Sequence, residues 1–288
     1  MIRTVSVSSI DRLRKSLEGI SSRTAELVAS TAVLTLSSRG VIFIGPQHYF
    51  DKLPPDRQKF QLDLKRDYER WIERVRLLLA SAPKNLERQI DKADKACRAW
   101  IELSSTWSVK PNREHNATQV TSDFGIAAEL LDVFGIDDGR TLLVPDTNSL
   151  LADADPTSYR RAVDQLGFLF ILTPTVLREL DELKVLHRNP DVREKAQKVI
   201  TRIKGWRKQG NLLNGVTVDR SITVTAIAEE PDVSATLSWL DGSSSDDRII
   251  ASVLLIEARY PTSRVVLVTG DINLQNKADA AEVETAEL

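Results

Sequence analysis

Arg140-Thr141-Leu142-Leu143-Val144-Pro145-Asp146-Thr147-Asn148-Ser149-Leu150-Leu151 sets a short apolar run directly against an aspartate. Leu142, Leu143 and Val144 have the character of a buried strand, and Pro145 closes it. Asp146 therefore falls at the carboxyl end of a strand, which is where open α/β sheets bind their ligands. Working downstream, a helix is expected at 158–166 and a strand at 168–172. Pro174 is placed to open a helix running to about 186, and a further helix covers 191–208 before Gly210 stops it. An alternating strand at 222–227, a helix at 246–258, an apolar strand at 265–268 and a short last strand within 283–288 complete the pattern. Apolar strands separated by helices indicate a parallel sheet flanked by helices, an α/β architecture over residues 140–288.

Upstream the texture differs. Residues 1–135 form a mostly helical N-terminal region whose role the sequence does not give. Leu62, Tyr68, Trp71, Ile72, Val75 and Leu78 recur at helical spacing, and Pro54-Pro55 precedes them as a start signal. After Pro83 the pattern resumes with Leu86, Ile90, Ala93, Cys97, Trp100 and Ile101, so the two helices make an antiparallel hairpin or one kinked rod. The polar stretch 110–116 is expected to be a surface loop or linker, with another helix at about 121–133. The aromatics Tyr68, Trp71, Trp100 and Trp107 are expected in a core.

Four acids from separate segments are candidates for one site. Asp146 and Asp271 each follow a strand, Asp271 after Thr269-Gly270; Glu179 lies on the early turns of the helix opened by Pro174; Asp247 opens the helix after Ser243-Ser244-Ser245. Each has a plainer use as well. Asp146 and Asp271 could cap helices, Asp246 and Asp247 could answer a helix dipole, and Glu179 could be a solvated residue beside Asp181 and Glu182. Carboxylates gathered together repel one another unless a cation intervenes. Oxygen ligands suit Mg²⁺, with Mn²⁺ fitting the same set. The three histidines, His48, His115 and His187, have no metal-ligand spacing.

Taken in order, these segments resemble a PIN domain. Val144-Pro145-Asp146-Thr147-Asn148-Ser149-Leu150-Leu151 resembles the family's opening strand and its D-T-N-x-L signature. Residues 174–184 resemble the second motif, with its glutamate at Glu179. Asp246-Asp247-Arg248-Ile249-Ile250-Ala251 resembles the third, with its acid at Asp247, or at Asp246 if the helix is read one residue differently. Thr269-Gly270-Asp271-Ile272-Asn273-Leu274-Gln275-Asn276-Lys277-Ala278 resembles the fourth. The resemblance covers about 140–288. It implies a Mg²⁺- or Mn²⁺-dependent nuclease acting on single-stranded RNA, with Asp146, Glu179, Asp247 and Asp271 as catalytic metal ligands. Asn148, Thr269 and Asn273 would support those ligands.

The whole chain sets the remaining bounds. Its 288 residues are 42% hydrophobic and 28% charged, with a formal net charge of -2, so an RNA partner must be met by local charge. Lys184, Arg193, Lys198 and Arg202 belong to a basic strip that could follow a phosphate backbone or be the solvated face of a helix whose core side includes Trp206. Arg178 and Arg248, each beside a proposed ligand, could touch the scissile phosphate or equally pair with neighbouring carboxylates. One cysteine excludes an internal disulfide framework. The apolar run at 41–44 is far short of the ~20 residues that cross a bilayer, and the N-terminus lacks a signal-peptide core. A soluble cytoplasmic protein without a membrane partner is expected. The competing functions are a structure-specific deoxyribonuclease of the flap-endonuclease kind and a regulatory or toxin-like interaction module, with the helical region as the place for a protein partner or self-association.

Overall fold

A computed structural model of the chain describes residues 7–36, 45–80, 83–135 and 139–288; the apolar run at 41–44 lies outside them. Two compact units divide the chain, Ile10–Ile136 and chiefly Asp137–Leu288. Among the described residues no helix is long and apolar enough to cross a membrane.

The N-terminal unit holds α1 (Ser9–Ser30), a two-stranded antiparallel ribbon of β1 (Val33–Thr35) and β2 (His48–Phe50), then α2 (Pro55–Leu78), α3 (Lys84–Ile101) and α4 (Arg113–Glu129). Helices α2 and α3 form an antiparallel hairpin rather than a rod. Lys65 pairs with Glu102, Arg98 with Glu69 and Arg76 with Asp91, so partners descend along one helix as they rise along the other. Tyr68, Trp71 and Trp100 are buried as expected, but Trp107 is 69% exposed. It lies outside both helices, in the loop after α3, where no apolar stripe carries it inward. The stretch 110–116 is not a linker. Asn112 accepts from the His115 N–H and caps α4, and the buried Asn116 clasps Lys110 by both its backbone N–H and its carbonyl, each at 2.8 Å. The stretch does lie at the surface, exposed from 110 to 115, and its polar residues also organise the helix start.

The C-terminal unit is built on a six-stranded sheet in the order β5-β6-β4-β3-β7-β8. Its strands are β3 (Thr141–Pro145), β4 (Phe168–Leu172), β5 (Val216–Asp219), β6 (Ile222–Ala226), β7 (Arg264–Val268) and β8 (Glu284–Ala286). All pairings are parallel except β5 with β6. Every residue of β3 is buried, as a central strand covered on both faces requires. Strand β5 escapes the sequence reading because it is a four-residue edge strand with only Val216 buried, and its register shifts between Thr217 and Asp219. Around the sheet lie α5 (Thr147–Ala152), α6 (Arg160–Val163), α7 (Pro174–Leu186), α8 (Pro190–Gln209), α9 (Ser245–Arg259) and α10 (Ile272–Ala280). The helix expected at 158–166 is a 3₁₀ turn over Pro156–Tyr159 followed by α6, which ends at Asp164 in a left-handed conformation (φ 49°). From β3 the chain moves to β4 on one side, and later returns to β7 on the other. The carboxyl ends of β3 and β7 thus form the switch point at which such sheets open a crevice.

Candidate active site

Asp146 leaves the end of β3 at that switch point. Its backbone N–H donates to the Val268 carbonyl at 3.0 Å, and the residue is only 3% exposed. Both carboxylate oxygens are held: Oδ1 accepts from the Ser149 N–H at 2.7 Å, capping α5, and Oδ2 accepts from the Thr269 hydroxyl at 2.6 Å. The same Thr269 oxygen accepts from the Asp271 N–H at 3.0 Å. Asp271 in turn caps α10 by accepting from the Asn273 and Leu274 N–H groups. Glu179, on α7, accepts from the Thr147 hydroxyl. Capping and membership of a site, alternatives in the sequence, coincide here in Asp146 and Asp271.

Asp146, Glu179, Asp246 and Asp271 line one cavity of about 480 Å³, with Glu182 beside them. Thr147, Asn148 and Ser245 add neutral polar groups to the wall. Asp247 does not line it. Its carboxylate is buried, accepting from the Asp241 N–H at 2.8 Å and standing 2.7 Å from the Lys277 ammonium. Lys277 also meets Asp246 at 3.2 Å and Ser244 Oγ at 3.3 Å. Burial works to raise the Asp247 carboxyl, but the Lys277 ammonium and the Asp241 N–H outweigh it and hold the group below the ordinary carboxylate range. Burial likewise pulls Lys277 down, and its two aspartates more than reverse that, keeping the ammonium above the ordinary lysine range. Of the adjacent pair, Asp246 is the acid presented to the cavity and Asp247 the one that anchors a cation behind it.

The donor set fits a hard divalent ion: five carboxylates, of Asp146, Glu179, Glu182, Asp246 and Asp271, dominate the wall, with His187 as its one imidazole. Among the described residues no three of His, Cys, Asp or Glu converge as a ready-made metal-holding group.

The remaining candidates are placed as follows. Thr269 joins Asp146 to Asp271, Asn148 lies on the wall, and Asn273 contributes its backbone N–H. Arg178 and Arg248 do not line the acidic cavity; they share a separate shallow cleft with Glu230 and Asp241. Arg178 is paired with Glu230 at 2.9 Å, and Arg248 donates to the Gly242 carbonyl and Ser245 Oγ. Along the basic strip, Lys184 pairs with Asp181, Lys198 with Glu194 and Arg202 with Asp155. Arg193 donates to the His187 and Arg188 carbonyls. Trp206 is buried in the core side of α8. Sequence reasoning did not single out Thr147 or Lys277 as site residues, although both stand inside the quoted motifs. A hydroxyl next to a strand-end acid, and a lone lysine six residues after another, were the available signals.

A family model described as PIN domain matches residues 143–288, just over half of the chain and all four segments that build this cavity. No curated protein matches the chain.

Proposed function

The chain belongs to the PIN domain family, a nuclease-type fold that is generally dependent on divalent metal ions, and from that premise we propose that it is an endoribonuclease cutting single-stranded RNA with Mg²⁺ or Mn²⁺. One observation carries the proposal: Asp146, Glu179, Asp246 and Asp271, drawn from four segments, share a single cavity at the switch point of a parallel sheet. Those four acids are the residues that would hold the ion, directly or through water. When bound, such an ion polarises a phosphate oxygen and makes a water molecule a competent nucleophile near neutral pH.

The chain's own groups prepare for that. The Ser149 N–H and the Thr269 hydroxyl fix the Asp146 carboxylate in one orientation, so no reorganisation is needed when it takes up a ligand. Thr147 does the same for Glu179. The Thr269 oxygen couples Asp146 to the start of α10, and so to Asp271. Lys277 draws Asp247 away from the cavity and leaves Asp246 partly neutralised at its edge, limiting the repulsion among the wall acids.

The test is cleavage of labelled single-stranded RNA and DNA by the full chain, with Mg²⁺, Mn²⁺ or chelator, against Asp146→Asn. Asparagine can still cap α5, so the variant should fold. Loss of RNA cleavage in both the chelated and the substituted samples is the expected result. Cleavage that survives both refutes the proposal, and cleavage confined to DNA substrates replaces it with the flap-endonuclease reading. Protein that cleaves neither but binds a partner points to the interaction-module reading.

A further inference from the structure

The cavity that holds the acids has a second, apolar side. Leu183, Leu186, Ile249 and Leu274 line it together with His187. Ile249 and Leu274 are buried and belong to the helices beneath, so their presence needs no special explanation. Leu186 is different. It is the last residue of α7, it is 75% exposed, and yet its side chain bounds this cavity instead of packing into the core. Val185 beside it is also exposed. His187, immediately after the helix, is held by Asn189, whose backbone N–H and carbonyl oxygen stand 3.2 Å and 3.5 Å from its Nδ1. The His187 ring thus joins Thr147, Asn148 and Ser245 as the non-acidic polar groups of the lining.

Resting on the nuclease reading, we propose that this apolar side is a subsite for one unpaired nucleobase, lying next to the phosphate that the acids address. The cavity volume of about 480 Å³ falls in the range of small-ligand sites, with room for more than a phosphate. A base presents two apolar faces and a polar edge. Leu183 and Leu186 offer apolar surface for a face, and the His187 ring, Asn148 and Ser245 offer polar groups for the edge. In a duplex those faces are covered by neighbouring base pairs, and only an unstacked base can lie against an apolar side chain. The subsite therefore selects unpaired strands by shape rather than by sequence. Because the apolar wall is continuous with the carboxylates, its occupant sits within about one nucleotide of the cleaved bond. A peptide side chain could also cover Leu186, but the continuity with the acids favours a group that belongs to the substrate strand.

The experiment compares Leu186→Ala with the unsubstituted residue in the full chain, and a short single-stranded RNA with a set of copies carrying one abasic site at successive positions. Binding is read by fluorescence anisotropy in Mg²⁺ on an Asp146→Asn background, and cleavage on the Asp146 chain. One abasic position beside the cleaved bond should weaken binding and kcat/KM by about tenfold, the usual scale for a lost base contact. Leu186→Ala should lose a similar factor on the intact strand and nothing further on that abasic strand, and Leu186→Met should restore the intact-strand value. A flat abasic scan, or a Leu186→Ala loss that is equal on intact and abasic strands, overturns the subsite. Failure of the nuclease reading looks different. No cleavage with position-specific binding keeps the subsite and removes the enzyme, whereas neither cleavage nor binding removes both. A peptide partner whose affinity depends on Leu186, beside a flat abasic scan, assigns the wall to protein recognition instead.

Discussion

Replacing Lys277 with methionine removes the cation behind the acidic wall while keeping the length of the side chain. In the native chain the ammonium lies 2.7 Å from the buried Asp247 and 3.2 Å from Asp246. Breaking one side of a fully buried ion pair costs about 3–5 kcal/mol. This pair is less enclosed, with Lys277 about one-third exposed, and Asp247 keeps its hydrogen bond from the Asp241 N–H. Roughly 1–2 kcal/mol is therefore the expected loss near neutral pH, between the buried and surface limits. For a unit of this size that corresponds to a Tm lowered by about 2–8 °C. The pH dependence follows from the directions of the two shifts. Asp247 is held below its ordinary range, so its share of the stability is present above the unfolded carboxyl pKa and lost as pH falls through the lower folded value. Lys277 is held above its range, so its share is present below the unfolded lysine pKa and lost as pH rises through the higher folded value. The gap in Tm between the native chain and Lys277→Met should be widest across the neutral plateau and close towards both extremes. Thermal unfolding followed by circular dichroism, at a series of pH values, reads it directly. A variant as stable as the native chain at neutral pH, or a gap that does not narrow in acid, refutes the assignment of Lys277 as the partner of Asp247.

Two further perturbations probe the frame around the acids. Thr269→Val keeps the buried shape but deletes the hydroxyl shared by Asp146 and Asp271, and should lower metal affinity or activity by about ten- to a hundredfold; calorimetric Mn²⁺ titration checks it, and unchanged binding would show that the hydroxyl does not orient the acids. Gly167→Ala would bring a methyl group to 2.7 Å from the Ser221 carbonyl oxygen, where β4 begins beside β6, and should destabilise the C-terminal unit by about 1–3 kcal/mol; a urea midpoint equal to that of the native chain would show that the strand ends move apart without penalty.

Much of the C-terminal fold is written locally. The apolar runs of β3, β4 and β7 are continuous because those strands are buried in the sheet, and Pro174 marks the start of α7. Asp146 and Asp271 could be placed at strand ends because each follows such a run within three residues, and a strand has only one carboxyl end. Edge strand β5 could not, since an edge is half-solvated and its residues carry no buried pattern. Trp107 shows the same limit in the helical unit: an aromatic outside any apolar period has no sequence signal that decides between core and solvent.

The adjacent acids at the start of α9 mark the boundary between the two kinds of information. Sequence alone determines that two carboxylates open this helix, because Ser244 caps it and Asp246 and Asp247 occupy its first turn. It does not determine which one faces the cavity. Neighbours on a helix point about 100° apart, and the direction of either is known only if the helix has a clear apolar stripe. In helix α9 the stripe is too broad to decide: Ile249, Ile250, Ala251, Val253, Leu254 and Ile256 are buried over more than half of its circumference, an arc that takes in both acids. Its rotation is set by packing against the sheet and by Lys277 arriving from α10, a residue distant in sequence. That contact draws Asp247 inward, leaving Asp246 on the wall of the cavity with Asp146, Glu179 and Asp271.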